Sequence, residues 1–232
     1  MATQLNCIRH LDVFEPSTFD KRIDVIGCGA VGSRVMMALA KLGIDKLRAF
    51  DMDKVESHNI PNQIYGLQDV GEYKVEALQQ IVERTTGARI EAHNIEVDGQ
   101  GDPLGPIVFL LTDTMSSRKE IFNKALRNKL NVELVCEGRM GTDICRSYCF
   151  DPRDPAEVKG WEDTLCDDEE VIEEGSACGT TISVGPTAEI LSGMAVWQMM
   201  RWVKEGKTSD HELILTTRPF FTLTRDFKTA PV

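Results

Sequence analysis

The feature that most constrains this chain is a short apolar strand that runs straight into a glycine loop. Arg22-Ile23-Asp24-Val25-Ile26 leads into Gly27-Cys28-Gly29-Ala30-Val31-Gly32, and Val31, Val35, Leu39 and Leu42 then recur at helical spacing. Gly43 fits the C-terminus of that helix, and residues 46–50 read as the next strand, which ends on Asp51. A unit of this kind opens a doubly wound sheet. In it Gly27 permits the tight turn, Gly29 lets a backbone come close to phosphate, and Gly32 lets the helix pack on the sheet. The helix N-terminus offers free amides to an anion. Asp51 is placed to accept hydrogen bonds from a ribose. The loop alone does not choose between NAD, FAD and ATP.

The same alternation continues downstream. Residues 1–20 show no period and read as a short helix or arm, and residues 52–71 are irregular. A helix is expected over 72–84, strands over 89–97 and 107–111, a helix over 116–129 and a strand over 132–136. After Gly138 the pattern changes: a strand over 143–150, a turn-rich loop from Asp151, an acidic stretch, a long apolar helix over 186–204, and a hairpin over 212–225. The fold class is therefore α/β, a Rossmann-like, doubly wound, mostly parallel sheet with an antiparallel C-terminal extension. With 232 residues and no linker, one domain is expected: an arm (1–20), a nucleotide-binding core (21–137) and a C-terminal part (138–232).

Charge and cysteines narrow the function. A net charge of −11 repels phosphate backbones, so nucleic acid is a poor partner. Much of the excess lies at Asp167, Asp168, Glu169, Glu170, Glu173 and Glu174, which read as a solvated loop. No apolar run is long enough to cross a bilayer and no export signal is visible, so the cytoplasm is expected. The seven irregularly spaced cysteines include no CxxC pair, which points to reduced thiols and no zinc site. Cys145 and Cys149 read as core thiols on one face of a strand.

Three further segments add chemistry that a reductase has no need of. Asp51-Met52-Asp53-Lys54-Val55 and His58-Asn59-Ile60-Pro61-Asn62-Gln63 put short polar groups just beyond the second strand. Lys74 follows near the start of a helix. Asp113, in Thr112-Asp113-Thr114-Met115-Ser116-Ser117-Arg118, emerges from the carboxyl end of a buried strand, where such sheets bind ligands. A carboxylate there can hold Mg²⁺ against phosphates, and capping the next helix is its plainer role.

In this order the motifs resemble the ThiF/MoeB/HesA superfamily, over about residues 20–205. The resemblance implies an ATP-dependent adenylyltransferase that activates the C-terminal glycine of a ubiquitin-like or sulfur-carrier protein. It also implies a homodimer, and it allows a conjugating enzyme as a further partner. ATP and Mg²⁺ are the implied cofactors. Gly27, Gly29 and Gly32 would hold phosphates, Asp51 the ribose, and Asp113 the magnesium. Asp53, Asn59, Gln63, Lys74, Thr114 and Arg118 would complete the nucleotide site.

Cys178, in Gly175-Ser176-Ala177-Cys178-Gly179-Thr180-Thr181 ahead of Gly185-Pro186 and the long helix, matches the position of an acyl acceptor. Small neighbours near a helix start suit a reactive thiolate. Two departures stand out. Asn62 occupies the position of an arginine that would offset pyrophosphate charge, so either another cation supplies it, Arg9 or Arg22 from this chain or a second subunit, or the activity is weaker. The paired zinc cysteines of many bacterial members are absent. An NAD-dependent oxidoreductase and a nucleotide-binding scaffold without activity are the competing readings.

Overall fold

A computed structural model of the chain describes residues 5–101, 103–168 and 184–228. Its frame is an eight-stranded sheet in the order β3-β2-β1-β4-β5-β6-β7-β8. The parallel half comprises β1 (Ile23–Ile26), β2 (Leu47–Phe50), β3 (Glu91–His93), β4 (Ile107–Leu110) and β5 (Leu134–Met140). β6 (Ile144–Phe150), β7 (Glu212–Thr217) and β8 (Phe220–Arg225) continue it antiparallel. β1, β2 and β4 are buried along their whole length, as strands covered on both faces must be.

Helices α1 (Gly32–Lys41), α2 (Lys74–Thr86) and α5 (Gly185–Glu205) contribute to one apolar layer. In it Val35, Met36 and Leu39 of α1 meet Val75, Leu78 and Val82 of α2 and Leu191, Ala195 and Met199 of α5. The opposite layer holds α3 (Met115–Ile121), which runs into a π-turn over Phe122–Leu126, and α4 (Pro155–Glu162). There Phe150 and Trp161 stack, Phe122 lies tilted against both, and Tyr148 belongs to the same cluster.

Several boundaries depart from the expectations. The strand over 89–97 is reduced to Glu91–His93. Residues 94–101 and 103–105 instead cross the sheet as a loop, fastened by a buried ion pair between Asp24 and Arg48. Asp24 accepts from the Gly105 amide at 2.7 Å, and Arg48 donates to the Pro103 carbonyl at 3.0 Å. β5 continues through Gly138 to Met140, so the change of character placed there falls inside a strand. The turn-rich stretch after Asp151 contains α4. Asp154 caps it by accepting from the amides of Ala156 and Glu157, Pro155 occupies its first turn, and Val158 and Trp161 point to the core. Cys136 and Cys149 are opposed across β5 and β6, with sulfurs 3.9 Å apart, and Cys145 is likewise buried. No helix among the described residues is long and apolar enough to cross a membrane.

Candidate active site

The sheet reverses winding between β1 and β4, so the loops leaving their carboxyl ends part there and open a crevice. The glycine loop forms one wall. Gly27 has φ +87°, and a Cβ on it would stand 2.6 Å from the Leu111 carbonyl oxygen. That closeness locks the loop against the end of β4. A Cβ at Gly32 would fall 1.8 Å from the Gly27 oxygen, whereas one at Gly29 would meet nothing within 4 Å. Packing therefore requires glycine at 27 and 32 but not at 29. No side chain caps α1 at Val31; of its first amides, that of Ser33 donates to the Gly29 carbonyl at 3.1 Å.

Asp51 fixes the floor. Its carboxylate accepts from the Cys28 amide at 2.7 Å and from the Asp53 amide at 2.8 Å. Burial pushes its carboxyl up, opposed by the charge of Lys74 and by these amides. Lys74 is the first residue of α2, where a cation opposes the helix dipole, and it is buried. Burial pulls the ammonium down, but Asp51 and Asp53 outweigh it and hold Lys74 above its ordinary range, with Nζ 2.7 Å from Asp53 Oδ2. A buried lysine in so unfavourable a place needs both carboxylates. Cys28 is pushed well up by burial and then by Asp51, which disfavours its thiolate.

The polar loop closes the crevice from the α2 side. Asn59 is spent on its own turn, accepting from the Glu56 amide at 2.9 Å. The side-chain oxygens of Asn62 and Gln63 are buried without a hydrogen-bond partner among the described residues. Tyr65, which the sequence reading passed over, ties this loop to the glycine loop by donating to the Cys28 carbonyl at 2.7 Å.

On the β4 side Thr114 caps α3, its hydroxyl accepting from the Ser117 amide at 3.2 Å. That releases Asp113 from the capping role. Its carboxylate is exposed, and no hydrogen bond or ion pair engages it among the described residues. Arg118 is turned inward: it pairs with the buried Glu137 at 2.8 Å and donates to the carbonyls of Asp113 and Gly138, both at 3.2 Å. Its guanidinium supports the Asp113 loop from beneath. Asp168, expected in a solvated run, accepts from the Met115 amide at 2.6 Å, and Asp167 pairs with Lys119 at 3.0 Å. Cys178 lies outside the described residues.

The two cations proposed to replace an arginine at Asn62 are elsewhere within this chain. Arg22 precedes β1 at the opposite edge of the sheet and donates to the Pro103 carbonyl at 2.9 Å. Arg9 belongs to the N-terminal turns, which pack on the C-terminal end of α1 through His10 and the Leu42 carbonyl, 3.2 Å apart.

A cavity of about 450 Å³ lies on the α3 face under the crossing loop, lined by Phe50, His93, Ile95, Val97, Leu104 and Ala125 among others. Phe50 and His93 stack there with ring centroids 4.7 Å apart.

Comparison with known proteins agrees with this architecture. The model of the ThiF family matches residues 17–231. Among curated proteins, ubiquitin-like modifier-activating enzyme 5 of Caenorhabditis briggsae is 39% identical over 79 residues, 34% of this chain and 18% of that protein. The NEDD8-activating enzyme E1 catalytic subunit of Caenorhabditis elegans is 32% identical over 82 residues, 34% of this chain and 19% of that protein. The alignments thus span about a fifth of those relatives. Among solved structures, E. coli MccB with AMPCPP and MccA superposes with a TM-score of 0.67 at 13% identity, over 92% of this chain and 65% of that one. PaaA gives 0.68 at 18% identity, over 90% and 64%.

Proposed function

The chain belongs to the ThiF family, and from that premise we propose that it adenylates the C-terminal glycine of a ubiquitin-like protein at the crevice between β1 and β4. One observation carries the reading: the start of α1, which no side chain caps, Lys74 beside Asp51 and Asp53, and the Asp113 carboxylate, unengaged among the described residues, lie at the carboxyl end of the sheet. An anion-binding helix end, a ribose acceptor and a metal-binding carboxylate are what a nucleoside triphosphate requires.

In this reading the phosphates lie over the glycine loop, passing Gly29 where a side chain would intrude. Asp51 receives the ribose hydroxyls on its remaining lone pairs, beside Asp53. The adenine enters the cavity against Phe50, His93 and Val97. Lys74, with the Asn62 and Gln63 amides, steadies the phosphate side of the loop. Asp113 holds Mg²⁺, which when bound would neutralise phosphate charge. Thr114 and Arg118 keep that carboxylate aimed at the crevice.

The partner's carboxylate oxygen attacks the α-phosphorus, and the bond to the β-phosphate oxygen breaks as pyrophosphate leaves. The chain's share is positioning and charge. Cys178 thiolate then attacks the acyl carbon, and AMP departs with the carboxyl oxygen, leaving a thioester. A ubiquitin-like rather than sulfur-carrier partner is favoured by the named relatives and the missing CxxC pairs. We expect a cytoplasmic homodimer, which hands its product to a conjugating enzyme.

ATP–pyrophosphate exchange with candidate carriers ending in glycine tests the first step. Exchange should require a carrier with its terminal glycine intact; ATP binding without exchange would mark a scaffold, and NAD binding in place of ATP an oxidoreductase. For the second step, Cys178→Ala is expected to keep exchange while losing the thiol-reducible adduct on denaturing gels. An adduct that persists in this variant would assign the acceptor elsewhere.

A further inference from the structure

Two cations reach the glycine loop, and they are held in different ways. Lys74 is buried between carboxylates at the floor. Arg34 lies in the first turn of α1, and its side chain leans toward the N-terminus, as helical side chains do. Its Nη1 donates to the carbonyls of Ala30 at 2.9 Å and Asn62 at 2.5 Å, within the loop and the polar turn. Nε meets Glu189 Oε1 at 2.6 Å.

Nη2 has no acceptor among the described residues. It faces Gly185 at the start of α5, where an added Cβ would approach it to 3.6 Å and the Pro61 oxygen to 3.2 Å. The guanidinium is thus clamped by two carbonyls at the start of a helix that no side chain caps, with one nitrogen uncommitted among the described residues. Arg34 is mostly buried, while the Glu189 side chain is 67% exposed. A contact whose acid partner is so exposed holds weakly and yields readily to a stronger anion.

We propose that Arg34 meets the β- and γ-phosphates of the bound nucleotide, in place of the cation that Asn62 does not supply, and that Glu189 is its counter-ion at rest. This rests on the nucleotide-binding reading above and adds a residue to it. An arginine already fixed by two carbonyls keeps its donors aligned, so a triphosphate gains a charge-assisted contact with little ordering cost. AMP, whose single phosphate sits nearer the ribose, gains little.

Isothermal titration of ATP and of AMP, with Mg²⁺ present, is made on the wild type, Arg34→Gln, Arg34→Lys and Glu189→Gln. Arg34→Gln should weaken ATP by about 10- to 100-fold, the range of a charge-assisted hydrogen bond, and change AMP by less than about 3-fold. Arg34→Lys should recover part of the loss. Glu189→Gln should tighten ATP by about 2-fold or more, the scale of an exposed ion pair. Near-UV circular dichroism checks that each variant folds; glutamine retains a donor for the Ala30 or Asn62 carbonyl. Equal weakening of ATP and AMP in Arg34→Gln, or none in either, overturns the role of Arg34 and leaves the nucleotide site standing. A wild type that binds no ATP overturns both.

Discussion

Replacing Asp113 by alanine is expected to lower ATP–pyrophosphate exchange by about 100-fold or more, because a metal held at the phosphates accounts for several kcal/mol of the barrier. The melting temperature should stay within about 2 °C of wild type, as for a surface substitution that breaks no contact. The structure separates these effects because Thr114, not Asp113, caps α3. The Arg118 guanidinium binds the Asp113 carbonyl rather than its carboxylate, so the loop keeps its shape when the side chain is cut back. Thr114→Ala serves as the contrast, since losing a cap costs about 1 kcal/mol of stability. An Asp113→Ala enzyme with unchanged exchange would remove Asp113 from the chemistry. A large fall in melting temperature would mean that the carboxylate has a structural role.

What could be read in the sequence were features whose partners are close along the chain. The β1–loop–α1–β2 unit spans residues 23–50 and is written in local signals: an apolar run, three glycines and a helical period. α5 and the closing hairpin were legible for the same reason. α4 was hidden by the prolines of Asp151-Pro152-Arg153-Asp154-Pro155, which look like a turn. Yet an acidic N-cap followed by proline at the first helical position is also how a helix begins.

β3 was overestimated because residues 94–97 carry strand-like composition, and what stops the strand is tertiary. Asp24 and Arg48, from two neighbouring strands, hold the crossing loop through Gly105 and Pro103. Cations were the least legible residues. Arg118 follows Asp113 by five positions and reads as part of the nucleotide site, but the sequence does not show that it pairs with Glu137, on the next strand. Arg22 abuts β1 at the end away from the loop, and chain proximity does not reveal which end a side chain serves. Arg34 was passed over, since one arginine on a helix is unremarkable until Asn62 and Glu189 are brought to it.

Gly32→Ala and Gly29→Ala should part fold from function within one loop. At Gly32 a Cβ would stand 1.8 Å from the Gly27 oxygen and 2.9 Å from its carbonyl carbon. Gly27 cannot retreat toward β4, where the Leu111 oxygen already lies 2.6 Å from the place its own Cβ would take. The strain must therefore lift α1 from the sheet. Overpacking of a tight site costs about 1–3 kcal/mol, and a rigid backbone on both sides puts this case at the upper end. Gly32→Ala should lose about 5–10 °C in melting temperature and most of its nucleotide affinity, because the α1 amides and Asp113 no longer hold their spacing. At Gly29 an added methyl meets no protein atom. That variant should melt with wild type and still lose about tenfold or more in ATP affinity, the cost of a side chain where the phosphates approach the backbone. Calorimetric melting and ATP titration of the two proteins decide the matter. A Gly29→Ala variant that binds ATP normally would place the phosphates away from this loop, and a Gly32→Ala variant as stable as wild type would mean that α1 sits less tightly on the sheet than these distances require.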